Sequence, residues 1–142
     1  MTVVLTIEQL QEALVWWRSY FGLSDWEINI QMAHGGDIGA VARSRPRIFH
    51  KEADIEIATV ETRTERARGV CDMEIDLLHE LLHVVWCPAE TAANLKQDSV
   101  ENDLIFEQPV EMLARSMVRL RRQAGPKFSW EQPSHGLEHC IE

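Results

Sequence analysis

Asp72-Met73-Glu74-Ile75-Asp76-Leu77-Leu78-His79-Glu80-Leu81-Leu82-His83-Val84-Val85-Trp86 is the stretch on which the fold turns. Its composition predicts a helix from Asp72 to about Trp86, with Pro88 as the stop. A helix advances by about 100° per residue, so His79 and His83 point the same way, one turn apart. Asp72, Asp76 and Cys87 fall in the same stripe, and apart from Glu74 the remaining faces are apolar. A helix that is apolar nearly all round is buried in its domain. The imidazoles and carboxylates on its one polar strip then need partners, because unpaired buried polar groups are costly. A metal ion resolves that conflict. The spacing His79-Glu80-Leu81-Leu82-His83 suits Zn²⁺, with Glu80 placed beside the ion without ligating it.

Two histidines leave zinc in need of a third protein ligand if one position is to stay open for chemistry. His34 and His50 lie upstream in loop-like segments, and His135 lies far downstream. Carboxylates remain. A second helix is predicted from roughly Glu107 to Arg122, carrying Glu107 and Glu111 four apart on one face, followed there by Ala114 and Val118. Like charges at that spacing repel, and a cation beside them removes the penalty. Small Ala114 lets this face approach the histidine helix, while Val110, Leu113 and Met117 supply an adjacent core face. Simpler roles exist for both acids: Glu111 can pair with Arg115 one turn on, and Glu107 can favour a helix N-terminus. Cys87 lies one turn beyond His83 and offers a thiolate that would close the site. A small buried residue ahead of Pro88 is the simpler account of it.

The histidine motif followed by a glutamate helix resembles the gluzincin metallopeptidases. Glu107-Gln108-Pro109-Val110-Glu111 is similar to their glutamate motif, with Glu111 where an aspartate is usual. The compact size and the series Glu107, Val110, Glu111, Leu113, Ala114 also resemble the ImmA/IrrE-type peptidases and minimal phage-borne metallopeptidases. The likeness spans roughly Trp26 to Arg122. The extended metzincin pattern is excluded, since it needs a histidine at Ala89 and a glycine at Trp86. The resemblance implies Glu107 as the third ligand, and Glu111 as the group that holds His79 or His83 by its other ring nitrogen. It implies a zincin-like fold that cleaves peptide bonds through a metal-activated water, with Glu80 as general base and then proton donor. It also implies that the strand Ala53 to Ala58 is the edge along which an extended peptide aligns.

Outward from these helices the pattern is that of an α+β domain. Thr6 and Gln9 form a capping pair, and Ile7, Leu10, Leu14, Trp17 and Phe21 give a scaffold helix one apolar face, stopped at Gly22. Trp26 to Met32 alternates as a half-buried strand does, and Ala53 to Ala58 alternates again, with Ile55 and Ile57 opposite Asp54 and Glu56. A short strand is expected at Ile38 to Ala42 after the Gly35-Gly36 turn. Arg43 to Glu52, with Pro46, reads as a loop, as does Glu61 to Gly69. A polar connection from Ala89 to Asp103 is long enough to line a site. The expected fold is therefore a scaffold helix, a small twisted sheet of three strands, the active-site helix and a C-terminal glutamate helix.

Length and composition fit this plan. The chain has 142 residues, enough for one domain and a buried core, and the domain is expected to span 1–125. Residues 126–142 lose periodicity and read as a flexible tail, in which His135, His139 and Cys140 form a small ligand-like cluster. A formal charge of −9 opposes general nucleic-acid binding, although seven of the fourteen basic residues lie between Arg43 and Arg68. No apolar run is long enough to span a membrane, and the start lacks a basic signal-like region, so a cytoplasmic protein with reduced thiols is expected. The expected function is a zinc endopeptidase acting on a peptide or protein substrate. The alternative is a non-catalytic, zinc-stabilised interaction or regulatory module, of phage or host-takeover type. Glu80 favours the enzyme, because a purely structural site has no need of it.

Overall fold

The computed structural model describes residues 2–132. The capping pair starts α1 (Ile7–Tyr20) as expected: Gln9 N–H donates to the Thr6 hydroxyl at 3.2 Å, and Thr6 N–H donates to Gln9 Oε1 at 2.9 Å. Leu10, Ala13, Leu14 and Trp17 form its buried face, and Gly22, at φ +68°, turns the chain away. There follow β1 (Glu27–Ala33), the short helix α2 (Gly35–Ile38), β2 (Ala42–Arg47), β3 (Glu52–Ala58), a 3₁₀ turn (Val60–Thr62) and α3 (Glu65–Gly69). The remainder is helical: α4 (Met73–Ala93), α5 (Val100–Asn102), a π turn (Asp103–Glu107), α6 (Gln108–Gln123) and a 3₁₀ turn (Ser129–Glu131). The fold is α+β around one three-stranded mixed sheet. Among the described residues, no helix is long and apolar enough to cross a membrane.

The sheet corrects three expectations. Its order is β1-β3-β2, with β1 parallel and β2 antiparallel to β3. The strand anticipated from Ala53 to Ala58 is therefore the centre of the sheet and not its edge. Ala53, Ile55 and Ile57 are fully buried on its inner face, as the alternation predicts. The strand expected at Ile38 to Ala42 is displaced: Gly35 and Gly36 open α2, where His34 Nδ1 accepts from Gly36 N–H. The stretch expected to be a loop instead forms β2. Pro46 is compatible with that strand because β2 is an edge, where a missing N–H breaks no ladder bond. The arginines of β2 stand opposite acids of β3 in register: Arg43 against Glu56, Arg45 against Asp54 and Arg47 against Glu52. Arg43 Nε lies 2.7 Å from Glu56, and Arg47 reaches Asp54 at 2.8 Å. Much of the basic stretch is thus neutralised by cross-strand pairing. The segment Glu61 to Gly69, also expected to be a loop, contains the 3₁₀ turn and α3.

The histidine helix runs further than expected. Pro88 does not stop it, and α4 continues to Ala93, where Asn94 takes the left-handed cap at φ +51°. The proline costs α4 one backbone hydrogen bond, but Val84 and Cys87 around it are buried against the core and hold the helical path. The connection anticipated from Ala89 to Asp103 shrinks accordingly to a short loop, closed by Ser99, whose hydroxyl accepts from Asn102 N–H. Gln108 N–H then bonds Asp103 C=O across the π turn, and Pro109 falls in the first turn of α6, where its missing N–H is harmless. Val110, Ala114 and Val118 of α6 are buried.

At the far end of the α4–α6 contact lies a buried ion network. Glu74, fully buried, accepts from Trp17 Nε1 at 2.9 Å and from Arg121 through both carboxylate oxygens at 2.8 Å. Arg121 also reaches Glu131 at 2.7 and 2.8 Å and covers the Phe128 ring. Phe128 is 2% exposed, and Ser129 bonds Glu12 of α1. The domain expected to end at residue 125 is therefore extended by the chain through Gln132, while His135, His139 and Cys140 lie outside the described residues.

Candidate metal centre

α4 and the π turn that leads into α6 bring His79, His83 and Glu107 together. The Nε2 atoms of the histidines are 3.2 Å apart, His79 Nε2 lies 3.3 Å from Glu107 Oε2, and His83 Nε2 lies 3.1 Å from Glu107 Oε1. Tetrahedral ligands with bonds of about 2.0–2.1 Å have edges of about 3.3 Å. The single contacts are of that size; the two glutamate distances end on different oxygens, and with one atom taken from each residue the donors lie within 4.8 Å of one another, so the three can surround one small cation. Among the described residues, these three form the group able to hold a metal. Cys87 is buried and stays outside it, so no fourth protein ligand closes the site from that direction.

Each histidine is held from behind by a carboxylate. His79 Nδ1 lies 2.6 Å from Glu111 Oε2, and His83 Nδ1 lies 2.7 Å from Glu90 Oε1. Such contacts fix Nδ1 as the protonated nitrogen and turn Nε2 toward the common centre. Glu111 also pairs with Arg115 at 2.7 Å, so its two suggested roles coexist on two oxygens. In the metal-free site the carboxylates favour protonated imidazoles. Burial disfavours charge on His79, but its bonds to Glu107 and Glu111 outweigh that and raise its pKa to about 9. Burial likewise opposes charge on His83, and Glu107 and Glu90 raise it to about 10. The His79 and His83 contacts in turn hold Glu107 well below the usual carboxylate range, and the His79 contact lowers Glu111. A cation bound to the three donors takes the place of those protons.

Glu80 makes none of these contacts to the donors. It is 7% exposed, and its burial pushes its pKa up despite the nearby histidines and the Ser44 side chain. It faces an open cleft of about 810 Å³ that the donors also line. Its lining includes Ala42, Ser44 and Pro46 of β2 together with Glu90, Leu95, Gln97 and Asn102. Asp76, one turn before His79, closes one side. Its carboxylate is bonded to buried Arg63 at 2.7 Å, and its burial raises its pKa. Arg63 also donates to Ala58 C=O, tying the end of β3 to α4.

His79, Glu80, His83, Glu107 and Glu111 all line the one cleft, and His79, His83 and Glu107 are drawn together there. Glu90 is the site residue that sequence analysis misses. Its signal is present: seven residues separate it from His83, two helical turns on the same face, provided the helix passes Pro88. His34 caps α2 and His50 lies in the turn after β2, so neither approaches the centre. Family models, curated proteins and solved structures yield no match to this chain.

Proposed function

We propose that the chain is a zinc-dependent peptidase of zincin-like, gluzincin-type architecture, in which His79, His83 and Glu107 hold Zn²⁺ and Glu80 is the general base. The observation that carries this reading is the position of Glu80: a carboxylate buried beside a three-donor centre, facing a cleft and ligating nothing. The donor set of two imidazoles and one carboxylate suits zinc with an open position. When bound, the ion supplies a Lewis acid for the peptide carbonyl and acidifies a water. Glu80, beside the three donors, would take up a proton from the attacking water and return it to the departing amine, a task suited to a carboxylate whose pKa burial has raised. Glu90 and Glu111 keep both imidazoles in the tautomer that leaves Nε2 free.

Edge pairing on β2 supplies substrate alignment. Ala58 N–H donates to Val41 C=O at 2.8 Å, and antiparallel alternation then turns the backbone of Arg43, Arg45 and Arg47 toward β3. The N–H and C=O groups of Ala42 and Ser44 are left pointing from the free edge over the cleft. Pro46 has only a carbonyl to offer there. An extended peptide pairs with Ala42 and Ser44, and internal bonds are the target because this mode of capture needs a length of chain.

The test is zinc content followed by turnover. The purified protein is expected to carry about one zinc per chain, lost in His79→Ala and His83→Ala. Glu80→Gln should retain zinc and the parent melting temperature, while peptide cleavage falls at least about 100-fold. Equal turnover by both proteins would sink the reading. Zinc loss in Glu80→Gln would instead favour a closed, non-catalytic zinc module.

A further inference from the structure

Five carboxylates line the cleft: Asp76, Glu80, Glu90, Glu107 and Glu111. Four are accounted for. Asp76 is paired with Arg63, Glu111 with Arg115 and His79, and Glu107 spans the two histidine Nε2 atoms. Glu80 is buried and its pKa is raised. Glu90 differs from all of them. Its Oε1 accepts from His83 Nδ1–H, a bond that persists when the imidazole is neutral, and among the described residues neither Lys nor Arg is paired with it. Its second oxygen accepts no hydrogen bond from the described residues. The side chain is 23% exposed and lines the cleft. Arg43 is the one Lys or Arg side chain lining the cleft, and it is committed to Glu56 on the sheet.

We infer that the Glu90 wall is a cation subsite, and that the cleft selects peptides presenting an ammonium or guanidinium group next to the bond aligned over the metal centre. The inference rests on the peptidase reading and names its substrate class. Glu90 lies one imidazole ring behind the donor atom of His83, so a positive group placed against it belongs to a residue adjacent to the reacting bond. A substrate carboxylate against the second oxygen of Glu90 would meet like charge, with no Lys or Arg of the described residues paired there, and be disfavoured. The cation can come from a Lys or Arg side chain or from a free N-terminal amine, and the two sources are separable by acetylation.

The experiment uses zinc-loaded Glu80→Gln, which removes turnover and leaves binding. Three fluorescent Ala-rich peptides, otherwise identical and differing at one central residue as Lys, norleucine or Glu, are titrated with and without an N-terminal acetyl cap. The Lys peptide is expected to bind on the order of tenfold more tightly than the Glu peptide, a difference of about 1.4 kcal/mol. That ratio should shrink in high salt. Glu90→Gln, which keeps an acceptor for His83 Nδ1–H and loses the charge, should bring the ratio close to one within the same variant. A preference that depends on the uncapped amine and not on the side chain would assign the subsite to a peptide N-terminus. Equal affinity for the Lys and Glu peptides in both the capped and uncapped series, absence of binding to all of them, or a ratio unchanged by Glu90→Gln would overturn the inference. Turnover of the same peptides by the parent protein is read separately. Selective binding without cleavage would leave the cation subsite standing and remove the peptidase reading.

Discussion

At the scale of single residues, Glu107 at the head of α6 and Glu111 in its first turn do different work despite being one turn apart. Glu107 contacts the Nε2 atoms of both histidines, one through each oxygen, whereas Glu111 touches only the far nitrogen of His79 and Arg115. Glu107→Ala should therefore lose most bound zinc, and Glu111→Ala should weaken affinity by roughly 10–100-fold, the usual cost of releasing a ligand's orienting partner. Competition with a calibrated chelator measures both, and the reverse ranking would exchange their roles. The spacing of Glu107 and Glu111 makes them candidates from sequence, but it leaves their order open. The distances distinguish them: Glu107, at the end of the π turn, meets the Nε2 side of His79, and Glu111, in the first turn of α6, meets its Nδ1 side.

At the scale of elements, Arg121 shows how the helices are joined. It is 6% exposed and satisfies Glu74 of α4 and Glu131 beyond α6. Arg121→Ala removes the two-pronged partner of buried Glu74, leaving it Trp17 Nε1 and one 3.1 Å contact to Arg122, and a loss of up to about 3–5 kcal/mol in denaturant-measured stability is expected. A loss below about 1 kcal/mol, the scale of an exposed ion pair, would contradict the buried network. This network was legible in principle: the rule that buried polar groups need partners, applied to His79 and His83, applies equally to Glu74 on the same apolar helix. Its partners were not legible, because Arg121 and Glu131 approach through tertiary packing alone. The long helices and the alternation of β3 follow from periodicity that burial enforces. β2 escapes that logic, since an edge strand of arginines and a proline carries no apolar alternation and is held by charges on its neighbour. The extension of α4 past Pro88 escapes it too, and with it Glu90, because packing around Val84 and Cys87 overrides the local preference of proline.

At the scale of the whole molecule, the protonated histidines tie stability to pH in the metal-free protein. His79 and His83 have folded pKa values raised from 6.5 to about 9 and about 10, so their contribution is complete below pH 6.5 and is lost as pH rises through those values. Glu107 and Glu111 are lowered from 4.5, so theirs is present above pH 4.5 and lost as pH falls through their folded values. Metal-free protein should melt highest between pH 4.5 and 6.5 and weaken toward pH 10, whereas zinc-loaded protein should keep its alkaline stability, since the ion replaces those protons. Thermal melts across pH, with and without chelator, check this, and an alkaline loss unaffected by zinc would refute it. The central place of β3 has a consequence of another kind, for the order of assembly. Pairing β3 with β2 closes only the turn at 48–51, whereas pairing it with β1 must gather the whole chain from Glu27 to Glu52. Shorter closures form first, so the hairpin is the natural nucleus and the union of α4 with α6 a late event. A metal held between those two helices then meets a nearly finished structure. Bound there, it would act as a latch that slows unfolding and leaves the folding rate almost untouched.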